Sequence, residues 1–543
     1  MVAELGYLTA LALFTPPVEF DVVTYHLPRA AFWLQRESVG FIGDATYGPI
    51  DEFPPNAEIL QSGTMLLTTS VRWVGLVQLC ALLATTIAIY GIATRIGFER
   101  REAAFGALLF PTLPVVALQA PTALNDIVVA ALVAAAAFFV LGQSRGETAA
   151  AGLCVALLVG TKVTAALVLP VLLLLGLFAQ HGRRRIGLLV AGAAGVVVGA
   201  SWYAAALFRD DHSYGTGGHS IGAGDGVIGV VARTTRYLVQ SLELPGASGR
   251  DAYLYLLVGA LAGLVAGVAM GWRLGVIVAG LTALPFAVPD AERLLHSVYF
   301  NGWQLVGYDR ANDWGIIREE TVASNLQSWY GPVGLAMSAV ALVVGVRAVS
   351  RVRNLPLALV LVTAPLVLVI GSAVVTGYHP FNGRFLMGGV ALSAATWGVV
   401  RKWSPVAAAT VAAAATTVFL SLVNFVERPA GIDLFEPASR QSIWRIPREW
   451  VQAVQPEVSR MIGYLDDEAA KGTTIGVTRN ELVYPFAYVG YPDIDHRVVY
   501  ADSLAEAESV DADWAVLPAG QRPGRGWRVA LRSDPWAVFE RVG

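Results

Sequence analysis

Lysine is almost missing from this 543-residue chain, confined to Lys162, Lys402 and Lys471, while Arg and Ala abound. A GC-rich genome explains the bias, yet it leaves Lys162, set among apolar residues, conspicuous. Charged residues make up 15% of the sequence and the formal net charge is −3, a balance that excludes a nucleic-acid partner. The two cysteines, Cys80 and Cys154, lie inside apolar runs, read as inert core residues and say little about redox compartment. Internal repeats, low-complexity tracts and a cofactor-type glycine fingerprint are also lacking. The Gly215-Thr-Gly-Gly and Gly222-Ala-Gly-Asp-Gly runs have no strand before them and no helix after, which makes them loop. The loop 290–328 is acidic (Asp309, Asp313, Glu319, Glu320, with Asn325), but its spacing resembles no ligand set. Neither a metal nor another cofactor is expected.

What is present is apolar surface. At 55% hydrophobic residues and a mean hydropathy of +0.57, the chain reads as a polytopic membrane protein. Apolar windows near 3–18, 65–94, 103–120, 126–142, 148–161, 163–179, 186–208, 251–271, 274–289, 329–346, 355–376, 385–400 and 405–425 are read as spans. That makes about 13 transmembrane helices of the length a bilayer requires, although the fifth and sixth are short and separated only by Thr161-Lys162. The first lacks the basic leader and small-residue cleavage site of a signal peptide and is kept as a span. The breaks alternate in character. One set is basic: Arg95, Arg100 and Arg101, Arg145, Arg183 to Arg185, Arg273, Arg347 to Arg353, Arg401 and Lys402. By the positive-inside rule it faces the cytoplasm. The other set holds the long loops 19–64, 209–250 and 290–328, which then lie outside with the C-terminal region.

After Phe425 the composition changes. Helical spacing over Glu449–Ala470 precedes β-rich runs at Thr474–Thr478, Arg497–Tyr500, Trp514–Leu517, Trp527–Leu531 and Trp536–Val542, with helical stretches near Glu481–Val489 and Ser503–Ser509. The reading is an all-α membrane domain over 1–425 and a small extracytoplasmic α/β domain over 426–543.

The candidate chemistry clusters on the outer side. Asp21 follows the first span directly, and an amphipathic segment from Leu27 to Arg36 comes next. Leu27, Ala30, Ala31 and Leu34 share one face, and Trp33 is of the type that settles at headgroup level, so this segment is read as lying in the interface. Tyr25, His26 and Arg29, then Asp51, Glu52 and Glu58 around Pro54-Pro55, crowd polar groups into a loop too long for a mere connector. A solvated acid beside a span is the ordinary alternative for Asp21. Lys162 ends a span where a lipid phosphate would sit, or else snorkels. Asn125-Asp126 stands at the same surface, where helix capping is the plain alternative. In Tyr378-His-Pro-Phe-Asn-Gly-Arg384, the arginine suits bidentate phosphate binding as well as simple anchoring. An acid and two cations at one surface are what displacement of a phosphate leaving group needs.

At this point the chain resembles a known family: the polyprenyl-phosphate-sugar-dependent glycosyltransferases of the GT-C fold. These include the dolichyl-phosphate-mannose protein mannosyltransferases and the aminoarabinose transferase of lipid A. The stretches that carry the resemblance are FDVVTYHLPRAAFWLQ, PPNAEIL, LPVVALQAPTALNDIVVA, GTKVTA, EETVASN, YHPFNGRFL and VYPFAYVGYP. It implies that Asp21 is the catalytic base and that Glu58 is the second loop acid after a proline pair. It also implies that Lys162 and Arg384 meet the lipid phosphate, with Tyr25, His26, Arg29, Asn125, Asp126 and His379 as further substrate-binding candidates. One departure matters: the protein mannosyltransferases carry an Asp-Glu pair where this chain has Asp21-Val22, which puts protein Ser/Thr in doubt as acceptor. The expected activity is inverting transfer of a hexosyl or pentosyl group from a polyprenyl-phosphate donor to a hydroxyl of a glycan, lipid or protein. The expected place is the outer face of the cytoplasmic membrane. A transporter or lipid flippase is the alternative, favoured by charges midway through the bilayer; a non-catalytic envelope scaffold leaves Asp21 and Lys162 unexplained.

Overall fold

The computed structural model describes residues 1–43, 48–208, 226–241, 324, 328–375, 378–431, 441–447, 456–479 and 493–542. The expected spans at 251–271 and 274–289, most of the acidic loop 290–328 and the VYPFAYVGYP stretch lie outside the described residues. Among the described residues the chain is mostly helical and ends in a small sheet. Four helices among the described residues are long and apolar enough to cross a membrane: Val71–Arg95, Gly331–Val352, Leu355–Val375 and Ser404–Val423. A fifth candidate, Gly182–Gly199 with Ser201–Leu207, bends by 42°. Helices of 10–17 residues (Val2–Phe14, Asp126–Val140, Val163–Ala179) are apolar but shorter.

Several windows read as single spans are interrupted, and proline explains one of them. Residues 103–120 divide into a helix Arg100–Leu109, a 3-10 turn Phe110–Thr112 and a helix Pro114–Gln119, with Pro111 and Pro114 at the breaks. Residues 385–400 divide into a 3-10 turn Pro380–Leu386, a helix Met387–Ala394 and a 3-10 turn Trp397–Lys402. Every residue of the Met387–Ala394 helix is buried, and irregular backbone is tolerated in an apolar body where protein surrounds it. Close helix approach elsewhere relies on small residues: a Cβ at Gly195 or Gly199 would strike the backbone of the Arg145–Val159 helix.

The sheet contains β1 (Thr474–Val477), β2 (Arg497–Tyr500), β3 (Trp514–Pro518), β4 (Trp527–Ser533) and β5 (Trp536–Arg541), in the order β2-β1-β3-β5-β4. The first three are parallel and the last two join antiparallel. All five coincide with the β-rich runs in the sequence. The sheet and the Pro456–Glu468 helix share one apolar cluster with Tyr25, Phe32, Ile42 and Ile50 of the first long loop. Phe32 lies against Tyr500, ring centroids 5.5 Å apart.

That contact corrects the expectation of an interfacial helix at Leu27–Arg36. Its residues from Leu27 to Trp33 are all buried. Arg29 donates to the carbonyls of Ile50 and Pro49, and Trp33 Nε1 donates to Gly40 O at 2.6 Å, so both side chains bond within the protein rather than to headgroups. The helix Asn56–Thr68 carries the outward apolar stripe instead: Ile59, Leu60, Leu66 and Leu67 are exposed while Glu58, Gln61 and Ser62 are buried. A helix with apolar residues outward and polar residues inward suits lipid rather than water.

Candidate functional site

Four charges contributed by four distant segments meet at one end of the helical body. Asp21 stands at the start of a π-helical turn, Val22–His26. Asp126 opens the Asp126–Val140 helix, and Lys162 precedes the 3-10 turn Val163–Val168. Arg384 lies in the turn Pro380–Leu386. Arg384 Nη1 is 2.6 Å from Asp21 Oδ2 and 3.9 Å from Asp126 Oδ2. Lys162 Nζ is 2.6 Å from Asp126 Oδ1 and 3.0 Å from Asn125 Oδ1. The Phe385 ring serves both cations, 4.9 Å from Lys162 Nζ and 5.2 Å from the Arg384 guanidinium carbon.

This geometry decides several of the plain alternatives. Asp21 is not a solvated flanking acid, since its side chain is only 15% exposed. Asn125 sits at the N-cap but its side chain caps nothing; it accepts from Lys162, and its amide donates to Thr161 O at 3.4 Å. Lys162 points inward onto Asp126 instead of snorkelling.

A second cluster adjoins the first. His26 Nδ1 is 2.6 Å from Glu58 Oε1, both side chains fully buried, and Arg29 Nη1 is 3.8 Å from the same oxygen. Tyr25 stacks beside His26 with ring centroids 4.1 Å apart. Glu58 is therefore joined to His26 rather than set opposite Asp21. His379 is not brought into the charged cluster by the contacts described; its ring nitrogen accepts the Phe381 N–H at 3.4 Å and starts the turn that carries Arg384.

Burial and charge compete at every member. Burial pushes the Asp21 carboxyl up, but Arg384, His26 and Lys162 together outweigh it and hold it below its ordinary range. Burial likewise raises Glu58, and His26 and Arg29 bring it down to a net decrease. For Lys162 burial prevails over the attraction of Asp126 and lowers its pKa. Burial, reinforced by the negative charge of Asp21, carries the Tyr25 phenol well above its usual value. Both loop acids are thus ionised at neutral pH.

The cluster retains unmet hydrogen-bonding capacity. His26 Nε2, Glu58 Oε2, Asp126 Oδ2 and Arg384 Nε are buried without a hydrogen-bond partner. Buried polar atoms are costly unless something completes them, so this concentration marks a place for a polar ligand. Among the described residues no three His, Cys, Asp or Glu side chains form a metal-ligand set.

Sequence reasoning missed the frame that aims Arg384. Tyr330 donates its hydroxyl to Gly383 O at 2.6 Å, and Trp329 Nε1 donates to Pro380 O at 3.2 Å. Gly383 lies against the Trp329 ring, where a Cβ would collide, and Asn382 Nδ2 donates to the Tyr237 hydroxyl at 2.5 Å. The available signal was the Asn382-Gly383 pair beside a lone arginine. Also missed was Arg428, which bonds Glu19 Oε1 at 2.7 Å, Thr15 Oγ1 at 2.9 Å and Pro121 O at 3.1 Å, with both charged side chains buried. It ties the segment before Asp21 to the one before Asn125.

Comparison with known proteins bears on this arrangement in part. Among solved structures, ArnT from Cupriavidus metallidurans, in the apo state and bound to undecaprenyl phosphate, gives a TM-score of 0.40 at 14% identity, covering 100% of this chain and 97% of that one. Arabinofuranosyltransferase AftD from Mycobacteria gives 0.36 at 12% identity, covering 100% of this chain and 40% of that one. Scores this low do not by themselves establish a shared fold. No curated protein sequence matches significantly. The profile of the dolichyl-phosphate-mannose-protein mannosyltransferase family matches residues 52–204, which include Glu58, Asn125, Asp126 and Lys162. Over that stretch the chain is similar to the same superfamily that its motifs resemble.

Proposed function

We propose that this protein is a membrane glycosyltransferase of the GT-C type that moves a sugar from a polyprenyl-phosphate donor to an acceptor hydroxyl, with inversion at the anomeric carbon. The observation that carries the reading is the convergence of Asp21, Asp126, Lys162 and Arg384 in one buried set of contacts. Charges gathered at helix ends suit transfer at a membrane surface, whereas a transporter places them midway through the bilayer. In this reading the chain crosses the membrane about 13 times. The basic helix ends face the cytoplasm, and the site and the domain 426–543 face outward at the cytoplasmic membrane.

Asp21 takes the proton as the acceptor oxygen attacks the anomeric carbon, and the lipid phosphate leaves with its bonding electrons. A phosphate leaving group needs no second carboxylic acid to protonate it, unlike glycoside hydrolysis. Arg384 and Lys162 stabilise its charge instead. The ion pair adds a switch. With no donor bound, Arg384 neutralises Asp21 and makes it a feeble base. A donor phosphate seated on Arg384 competes for that guanidinium, withdraws the counter-charge and raises the basicity of Asp21 when the sugar is in place. Asn125 and Asp126 hold Lys162 in position, and His379 starts the turn that presents Arg384. No step requires a metal or other cofactor.

The deciding experiment feeds membranes containing the protein a panel of radiolabelled polyprenyl-phosphate sugars and identifies the labelled product. Absence of transfer from every donor would refute the reading. Reporter fusions at Arg184 and Gly543 test the orientation; both on one side would overturn it.

A further inference from the structure

His26 lies five residues after Asp21. In an ordinary helix, residues three and four apart share a face and the fifth is turned away. Between Val22 and His26 the chain instead makes a π turn, closed by the Leu27 N–H on Val22 O, and its wider coil brings residues five apart toward one side. The ring is fully buried, and so is the Glu58 side chain that meets Nδ1 at 2.6 Å. The Glu58 carboxylate only accepts, so Nδ1 carries a proton, and in the neutral ring Nε2 is left with its lone pair. That Nε2 is buried and has no hydrogen-bond partner. A buried, oriented imidazole with its accepting nitrogen unmet, on the same side of a turn as the proposed base, is an arrangement for receiving a proton.

We propose that His26 is a positioning residue and proton relay, which takes over at Nε2 the proton that Asp21 removes from the acceptor hydroxyl while Glu58 holds the ring. This rests on the reading of Asp21 as base. The bond from acceptor oxygen to the anomeric carbon forms, the bond from that carbon to the phosphate oxygen breaks, and the lipid phosphate keeps the electron pair. The proton passes from the hydroxyl to the Asp21 carboxylate and then to His26, whose imidazolium lies against Glu58 until water takes the proton after product departure. The direction follows from the neighbours. Arg384 favours ionised Asp21, so the protonated acid is a willing donor, and imidazole is ordinarily the stronger base. The charged groups around the ring are Glu58 at Nδ1, Asp21 across the turn, and Arg29, 3.8 Å from the same Glu58 oxygen. Tyr25, kept neutral by its raised pKa, does not compete.

The test uses the full chain in membranes, with tritiated undecaprenyl phosphate as binding probe and single-turnover transfer of whichever donor sugar the panel identifies, followed from about pH 5 to 9, where imidazole titrates. H26Q should bind the lipid phosphate as wild type does. It should transfer roughly 10²-fold more slowly and lose the fall in rate on the acidic side. E58Q should keep that fall but move its midpoint to lower pH, because the imidazolium has lost its carboxylate. Wild-type rate and pH profile in H26Q, loss of lipid binding in H26Q, or an unmoved midpoint in E58Q would each overturn the relay. If H26Q fails to fold, the E58Q midpoint decides. D21N separates the two readings: full activity there removes the base and the relay together, whereas an inactive D21N beside a wild-type H26Q removes only the relay.

Discussion

At one end of the helical body, Asp126 and Arg384 are buried, Asp21 and Lys162 are largely covered, and the four are bonded to one another across long stretches of chain. At the other, exposed or half-exposed charges close helix ends. Arg95 donates to Phe138 O at 2.5 Å and meets Glu147 at 2.5 Å, Arg184 donates to Ser144 O at 3.2 Å, and Arg353 donates to Arg95 O. Ser144 and Glu147 form a reciprocal capping box. The residue types are the same and the uses differ. At the capped end most charges finish on a backbone group or a nearby partner, with Arg184 Nε left over. At the buried end the charges hold one another, and several of their atoms stay unmet. In the proposed reading, unmet polar capacity gathered in one place, more than charge itself, sets the donor site apart from a helix terminus.

That contrast can be broken at its strongest point first. D21N is nearly isosteric and should leave lipid-phosphate binding intact while transfer falls roughly 10²–10⁴-fold, with chelator changing little in the wild type. Activity lost with chelator and regained with a divalent ion would make the loop acids a metal site. Arg428→Ala at the same end leaves Glu19 as an uncompensated buried charge and should cost about 3–5 kcal/mol of stability, read by thermal or denaturant unfolding in detergent. R384A or K162A should weaken undecaprenyl-phosphate binding by about 1.5–3 kcal/mol each, measured by titration; unchanged affinity in both would make them structural.

The capped end should respond least. Glu147 is held at about 2, against an ordinary 4.5, chiefly by the Ser144 backbone N–H, with burial opposing and Ser144, Arg95 and Gln143 assisting. Because the folded value is the lower one, its contribution is complete above about pH 4.5 and disappears as pH falls through about 2. E147Q should therefore cost no more than about 1 kcal/mol near neutrality, with the difference from wild type closing at low pH and transfer unaffected. A loss as large as that of Arg428→Ala would erase the distinction between the two ends.

Much of this was legible in the chain. The basic breaks and the lone Asp21, Lys162 and Arg384 segregated to opposite helix ends because charge is too expensive to leave within an apolar helix. The five strands were legible because β-branched and aromatic runs stand out after so much alanine and leucine. What sequence could not supply was partnership. Nothing local says that Glu58 takes His26, that Glu19 takes Arg428 across the whole membrane domain, or that Arg384 rests on Asp21. The Leu27–Arg36 helix was misread for the same reason: its amphipathic pattern was genuine, but Leu27, Ala30 and Ala31 are covered by Met65, Val71, Val74, Ala123 and Leu124, and Phe32 by the C-terminal sheet, not by a lipid headgroup. Proline at 111 and 114 was visible, and its effect on a supposed single span was underestimated.

The shared cluster of Phe32, Ile42 and Ile50 with Val458, Met461 and Leu465 has a consequence for how the protein is made. Chains leave the ribosome from the N-terminus, at about 5–20 residues per second. The segment that presents Asp21 emerges some four hundred residues before the sheet it packs against. Until then Tyr25, Phe32, Ile42 and Ile50 lack their partners, and a chain truncated before Val458 leaves that loop unfinished. The loop that presents Asp21 is fully packed only once the sheet has been made.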